Sequence, residues 1–353
     1  MERGAGSGKR GAVPRGANRR GGVPRREPRP APRSLASAVA LAVLACANAG
    51  SDRVLSVEAT GFVIGLVYFD ADGDREPAPP DTAVLGVRVR LVLEGSGAVV
   101  GSAVSDSAGR FRIGSLAARR YEVQLDTATV PESVSVVRIA DSTIQIGSGG
   151  SATVVVAVSF PSVSVSEARL LAPGARVFVS AIALNGFTTF GDSTIHIVDG
   201  GRAIRVTGVT PVPVLAGDSL RVLGSVGVRD GQPVLTGVTA FPLPAAVAPV
   251  PAGLTTAVAR TADGGRLDAA LAAVTGATIS DTATTGAGDF ALIVTDGSGA
   301  LEVLLNADLG LVLTPYVPGA VIDVSGVLVP AGPGVWRLKP RSGADLQLSP
   351  PGS

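Results

Sequence analysis

The chain is short of the residues that carry most enzyme chemistry. It has one cysteine, Cys46, and one histidine, His196, among 353 residues. A single cysteine excludes an intrachain disulfide and any multi-thiolate metal site, and a histidine without a partner Cys or His is not a zinc site. No G-x-S-x-G elbow, H-E-x-x-H, P-loop or post-strand G-x-G-x-x-G occurs in the sequence. Aromatics make up only 4% of the chain, so large stacking platforms are scarce. Long helical patterns are rare.

Long apolar runs are also missing. The apolar run "LASAVALAVLA" over 35–45 has eleven residues, too few to span a bilayer as a helix but suited to a signal segment. Before it stand ten Lys/Arg within 1–34 against Glu2 and Glu27, so the overall charge of +1 hides a remainder at −7. Two processing sites compete after the run. "Val-Leu-Ala-Cys" makes Cys46 a lipidation site, and "Ala47-Asn48-Ala49" suits ordinary signal peptidase. The expectation is an exported protein: an outer-membrane or periplasmic lipoprotein held to the membrane if Cys46 is acylated, or a freely secreted one.

What the chain has is Val, Ala and Thr in short runs, with 46 Gly and 25 Pro between them. Runs such as "GFVIGLVYF", "RFRIGSL" and "RYEVQL" alternate or are β-branched, and Gly, Asp or Pro bounds them, which reads as strands. About seven such runs between 60 and 160 predict a β-sandwich.

The rest carries an internal duplication. "GDSTIHIVDGGRAIRV" (191–206) aligns with "GDFALIVTDGSGALEV" (288–303), and further on Gly224 falls over Gly326. Each copy reads as five strands with hairpin turns, the order of a small closed barrel of the OB type. Short helical patches are expected at 165–171 and 254–261. The fold expected is thus all-β: one Ig-like or prealbumin-like sandwich and two small OB-like barrels in tandem. The divisions are a basic leader and signal segment (1–49), a tether (50–59), the sandwich (60–160), a barrel (162–244), a Pro/Ala linker (245–253) and a second barrel (254–349).

The densest chemistry lies in "YFDADGDREPAPPD" (68–81). Asp70, Asp72, Asp74, Glu76 and Asp81, with Asp106 from a later turn, offer the oxygens that calcium takes six to eight at a time. An EF-hand is excluded: Arg75 stands where the loop needs Gly, Pro77, Pro79 and Pro80 interrupt it, and the flanks are β-type. A calcium site at the sandwich rim and an acidic solvated loop both stay open. His196 alternates with Ile195 and Ile197, which predicts an outward or rim position.

The first domain resembles the B-type domains of serine-aspartate repeat surface proteins and carboxypeptidase-regulatory-like sandwiches. The resemblance rests on Gly65, Tyr68, the acidic residues 70–76, "GVRVRL" (86–91), "SDSAGRFRI" (105–113), Leu116 and "YEV" (121–123). It implies a structural calcium, with Arg75, Ser105 and Arg119 as departures from the pattern. The later domains resemble OB-type modules of bacterial extracellular nuclease architectures, on the opening "VSVSEARLLAPGARVFVSAIAL" and the two D-G hairpins.

These readings predict a non-enzymatic, adhesion-like binding or scaffolding protein, with a protein or glycan of the cell envelope as partner. The alternative is a nucleic-acid-binding accessory to an extracellular nuclease. Phe187, Phe190, Arg202 and Arg205 are its weak candidate contacts, because such sites join a basic groove to stacking aromatics. Six Arg against five acids in 162–244, and five Lys/Arg against nine acids in 250–349, argue against nucleic acid.

Overall fold

The computed structural model describes residues 59–208 and 213–349. Cys46 and the leader fall outside them. The first domain holds β1 (Gly61–Phe69), β2 (Thr82–Ala83), β3 (Arg88–Leu93), β4 (Val99–Val104), β5 (Arg110–Leu116), β6 (Arg120–Leu125), β7 (Ser135–Ala140), β8 (Thr143–Gln145) and β9 (Ser151–Ser159). One sheet runs β2-β1-β9-β7 with β5 also on β1, and the other runs β4-β3-β6-β8. β1 and β9 are parallel, and most other pairs are antiparallel hairpins or meanders. Alternation places Phe111 and Ile113 of β5 and Tyr121 and Val123 of β6 inside, a register shift brings Leu116 to the same face, and all meet Val63, Val67, Leu91 and Val156 in one core.

The second domain holds β10 (Ser162–Val163), α1 (Val165–Ala168), β11 (Arg176–Ala183), β12 (Ile195–Asp199), β13 (Arg202–Thr207), β14 (Ser219–Arg229) and β15 (Gln232–Pro242). The third holds β16 (Ala252–Gly253), α2 (Thr256–Thr261), β17 (Leu271–Thr284), β18 (Phe290–Thr295), β19 (Ala300–Leu305), β20 (Val321–Gly332), β21 (Val335–Lys339) and β22 (Leu346–Leu348). The orders are β11-β12-β13-β15-β14 and β17-β18-β19-β21-β20, each closed by pairing of its first and fourth strands. That is the five-strand OB barrel order, so the protein is all-β with a sandwich and two OB-like barrels.

Local signals agree with this order. Ser164 and Glu167 form a reciprocal capping box that starts α1. Asp296 takes the Thr256 amide and hydroxyl at the start of α2, and hydrogen bonds from Ser298 and Thr256 hold its carboxyl far below the usual range. Gly326, opposite Ala272 in β17, lies so close to the backbone of Lys339 and Pro340 that a side chain would collide with it.

The barrels do not hang free of each other. Leu184, Phe190 and Ala203 of the first form a buried cluster with Ala269, Leu271 and Val327 of the second. Polar contacts reinforce it. The Asn306 side-chain amide donates to the Phe190 carbonyl (2.9 Å), Arg341 to the Leu184 carbonyl (3.2 Å), and Arg202 to the Arg266 carbonyl (2.7 Å). Arg169 lies 3.8 Å from the Asp268 carboxylate, which also takes the Trp336 indole N–H at 2.8 Å. Burial raises the Asp268 carboxyl, against the pull of Trp336 and Arg169.

Candidate functional sites: the barrel seam and the acidic loop

OB barrels engage ligands through the outer face of strands two and three and through the loops after strands one and four. In the first barrel that face is taken. β13 is buried on both sides over Ala203–Val206, and His196 of β12 is 2% exposed. The residues that point away from the barrel core meet the second barrel instead of solvent. His196 is outward from its own barrel as its parity predicts, but the rim position is corrected: the seam buries it.

The sequence candidates follow the same rule. Phe187 packs on the first barrel's core. Phe190 lies in the seam, edge-on to the His196 ring at 5.8 Å. Arg202 is tied to the third domain, and Arg205 is 8% exposed and bound to Asp230 at 2.9 Å. None of the four forms an open stacking groove.

The seam gathers two residues that sequence reasoning passed over. Arg337 and Lys339, at alternate positions of β21, line one cavity of about 180 Å³ together with His196, Arg205, Asp192 and Phe190. Their spacing between the core residues Trp336 and Leu338 was the available signal. It was masked because the domain is net acidic. Lys339 is 9% exposed and its ammonium lies 4.5 Å from the Phe190 ring centre. Burial lowers its pKa, which Asp192 and Asp289 partly offset. His196 Nδ1 lies 2.9 Å from Asn185 Oδ1, which also accepts the His196 amide, so Nδ1 carries the proton of a neutral ring. Burial, then Arg205 and Lys339, push the imidazole down to about 3.

A second cleft, about 910 Å³, opens beside it. It is lined by Asp230–Gln232 at the β14–β15 turn and by Pro330–Gly334 at the β20–β21 turn, together with Trp336. The strand-four-to-five turns of both barrels therefore converge on one space.

In the acidic loop, Asp70, Asp72 and Asp74 bring one carboxylate oxygen each within 4.8 Å of one another. Loop turns set the geometry: the Gly73 amide donates to Asp70 Oδ1 (2.5 Å), that of Asp74 to Asp72 (3.1 Å) and that of Glu76 to Asp74 (2.7 Å). Asp81 braces the loop from its far end by accepting the Ala71 and Ala78 amides. Glu76 and Asp106 stand outside the trio. Asp106 accepts the Ala108 and Arg110 amides in its own turn. Burial raises the carboxyls of Asp70 (1% exposed) and Asp81, and burial followed by Asp70 and Asp81 pushes the Tyr68 phenol up to about 12. The Tyr68 hydroxyl is buried without a hydrogen bond.

The loop also touches the next domain. Arg221 of β14 donates to the Gly73 carbonyl at 2.8 Å while stacking on Phe178 at 4.5 Å. Arg75 takes φ 66°, a left-handed conformation that Gly would hold at lower cost, and its carbonyl accepts from Arg138 at 2.9 Å.

No protein-family model matches the chain, and no curated protein matches it. Solved structures similar to it include a murine DNA-binding protein bound with double-stranded DNA (11% identity, 51% of this chain and 98% of that one, TM-score 0.28). Others are the Ifi202 HINa domain in complex with 20-bp double-stranded DNA (12%, 49% and 94%, 0.24) and the S. pombe Stn1–Ten1 complex (20%, 23% and 58%, 0.20). The chain thus spans less than two thirds of the Stn1–Ten1 chain it matches, and 21% of an asparaginyl-tRNA synthetase from Pyrococcus horikoshii. At these scores the likeness concerns the barrel fold. The expectation that nucleic acid is an unlikely partner is corrected: two of these solved structures are of proteins bound to double-stranded DNA.

Proposed function

We propose that the chain is an exported, non-catalytic module whose paired barrels engage a nucleic-acid strand, in the manner of an accessory to an extracellular nuclease. The observation that supports this reading is the shared cleft onto which the strand-four-to-five turns of both barrels open. Those turns are one of the two surfaces by which OB barrels take oligonucleotides, and the other is closed in the first barrel by the seam. With few free cations, contacts to the backbone are few and affinity is modest. Anisotropy of a labelled single-stranded oligonucleotide, titrated with the full chain at several salt concentrations, is the test. Saturable binding that weakens with salt supports the module, and no binding at low salt ends it.

A second reading concerns the acidic loop. The trio fits a hard divalent cation: three carboxylates converge, one of them buried, beside an orphaned phenol hydroxyl. We propose that Asp70, Asp72 and Asp74 would hold calcium, which would cancel their mutual repulsion. Because Arg221 grips the same loop, a cation there would also firm the contact between the sandwich and the first barrel. A thermal melt with calcium and with chelator tests it. A melting temperature indifferent to both would remove the metal from the account.

A further inference from the structure

We propose that the cavity in the seam, lined by Arg205 and His196 of the first barrel and Arg337 and Lys339 of the second, is a binding site for a phosphate group.

Charge is the first ground. Three cations line a space of about 180 Å³; Arg205 and Arg337 are ion-paired with Asp230 and Glu302 outside the lining, which leaves Lys339 and the one lining carboxylate, Asp192. Two of them, Arg205 at 8% exposed and Lys339 at 9%, have left bulk water almost wholly. Buried charges are ordinarily paired, because the cost of desolvation is otherwise unmatched. The Lys339 ammonium has no hydrogen bond or ion pair among the described residues, and it lies 4.5 Å from the centre of the Phe190 ring. Asp192 turns one oxygen to the Thr194 amide (3.1 Å) and lies outside ion-pair distance of Lys339.

The unspent donors are the second ground. Arg205 has committed its terminal nitrogens to Asp230 (2.9 Å) and the Arg229 carbonyl (3.0 Å), and Arg337 has committed one to Glu302 (3.0 Å). In both, the inner N–H at Nε is buried and unpartnered. Buried donors left unmade are costly and rare in folded proteins. What remains unpaired is the inner N–H of each guanidinium, the second terminal nitrogen of Arg337 and the Lys339 ammonium, contributed by three side chains. Donors spread over three side chains suit an oxyanion that presents oxygens in several directions.

Size and position agree. The cavity has room for about six waters at roughly 30 Å³ each, enough for a phosphate with part of its shell. Neutral His196 offers a lone pair at its second nitrogen, which suits a protonated phosphate oxygen. The site also requires both barrels, which gives the buried seam a role beyond packing.

Free phosphate and the phosphodiester of a nucleic-acid strand share the contacts to the cations, whereas the His196 lone pair finds a donor only on the protonated free ion. The site does not need the proposed function to hold, because inorganic phosphate alone tests it. The full chain is titrated with sodium phosphate, against sodium chloride of equal ionic strength, while the imidazole resonances of the sole histidine are followed by NMR. The expected result is a saturable shift with phosphate that chloride does not produce. Lys339→Met, which keeps the side-chain length and removes the charge, is expected to weaken it at least tenfold. Should that variant fail to fold, the wild-type titration still decides. No saturable histidine shift with phosphate overturns the site, even if the oligonucleotide binds, in which case the strand lies elsewhere. A histidine shift with no oligonucleotide binding upholds the site for the free ion and ends the nucleic-acid module. Where both bind, competition between them upholds the site and assigns it to the backbone, whereas independent binding upholds it for the free ion.

Discussion

His196 makes the seam measurable. Its ring is buried, neutral, and held near a pKa of about 3, whereas in the unfolded chain it returns to about 6.5. Between those values the unfolded state binds a proton that the folded state refuses, so stability must fall as pH drops. At pH 4.5 the unfolded chain gains about two units of protonation free energy, at 1.36 kcal/mol each, and the folded state almost none. The loss is about 3 kcal/mol, a sizeable fraction of the roughly 5–15 kcal/mol that holds a domain folded. Stability is fully present above pH 6.5 and erodes down to about 3, where the folded ring protonates too. Urea denaturation at pH 7 and pH 4.5, for the wild type and His196→Gln, isolates this contribution, since other carboxylates titrate equally in both. The wild type should lose about 3 kcal/mol more than the variant over that interval. A histidine resonance titrating near 6.5 in the folded protein would refute the reasoning, as would equal pH slopes in the two proteins.

Other outcomes can be checked directly. Phe190→Ala removes a buried ring from the seam and the face on which Lys339 rests, and should cost about 3 kcal/mol and let the barrels unfold separately, seen as a second step in urea denaturation. Gly73→Ala forces a side chain onto a left-handed residue (φ 79°) and into the Arg221 guanidinium, so it should destabilise by about 1–2 kcal/mol and speed amide exchange in the acidic loop. Calcium should raise the melting temperature of the wild type and not that of Asp72→Asn, whose carboxylate belongs to the trio. If strand binding uses the seam cavity, where Arg205, Arg337 and Lys339 together take one phosphate, the logarithmic salt slope should be about −0.7. A much steeper slope would place the strand on another face.

The strands were legible because their signal is local. "RFRIGSL" reads as a strand at 110–116 and is β5 over the same residues, since alternation and flanking Gly and Ala-Ala breaks act within a few positions. The five-strand barrel order was readable from two hairpin patterns and their turns. The acidic loop was readable as a cluster, but its membership was not: the chain alone cannot tell that Asp81 braces the loop or that Asp106 closes a separate turn. Arg75 shows the same limit: the chain alone does not reveal that it takes a left-handed turn or that its carbonyl accepts from Arg138, 63 residues further on.

The sequence by itself determined the elements, their class and the positions that face each barrel's interior, because period-two alternation is set by backbone geometry over neighbouring residues. Only the tertiary structure decided what became of the opposite faces. His196, Arg205, Arg337 and Lys339 are all outward by alternation, and nothing local distinguishes them from solvated residues. They became buried, mutually facing and partly unpartnered because two barrels closed over them, and that contact lies between segments more than a hundred residues apart.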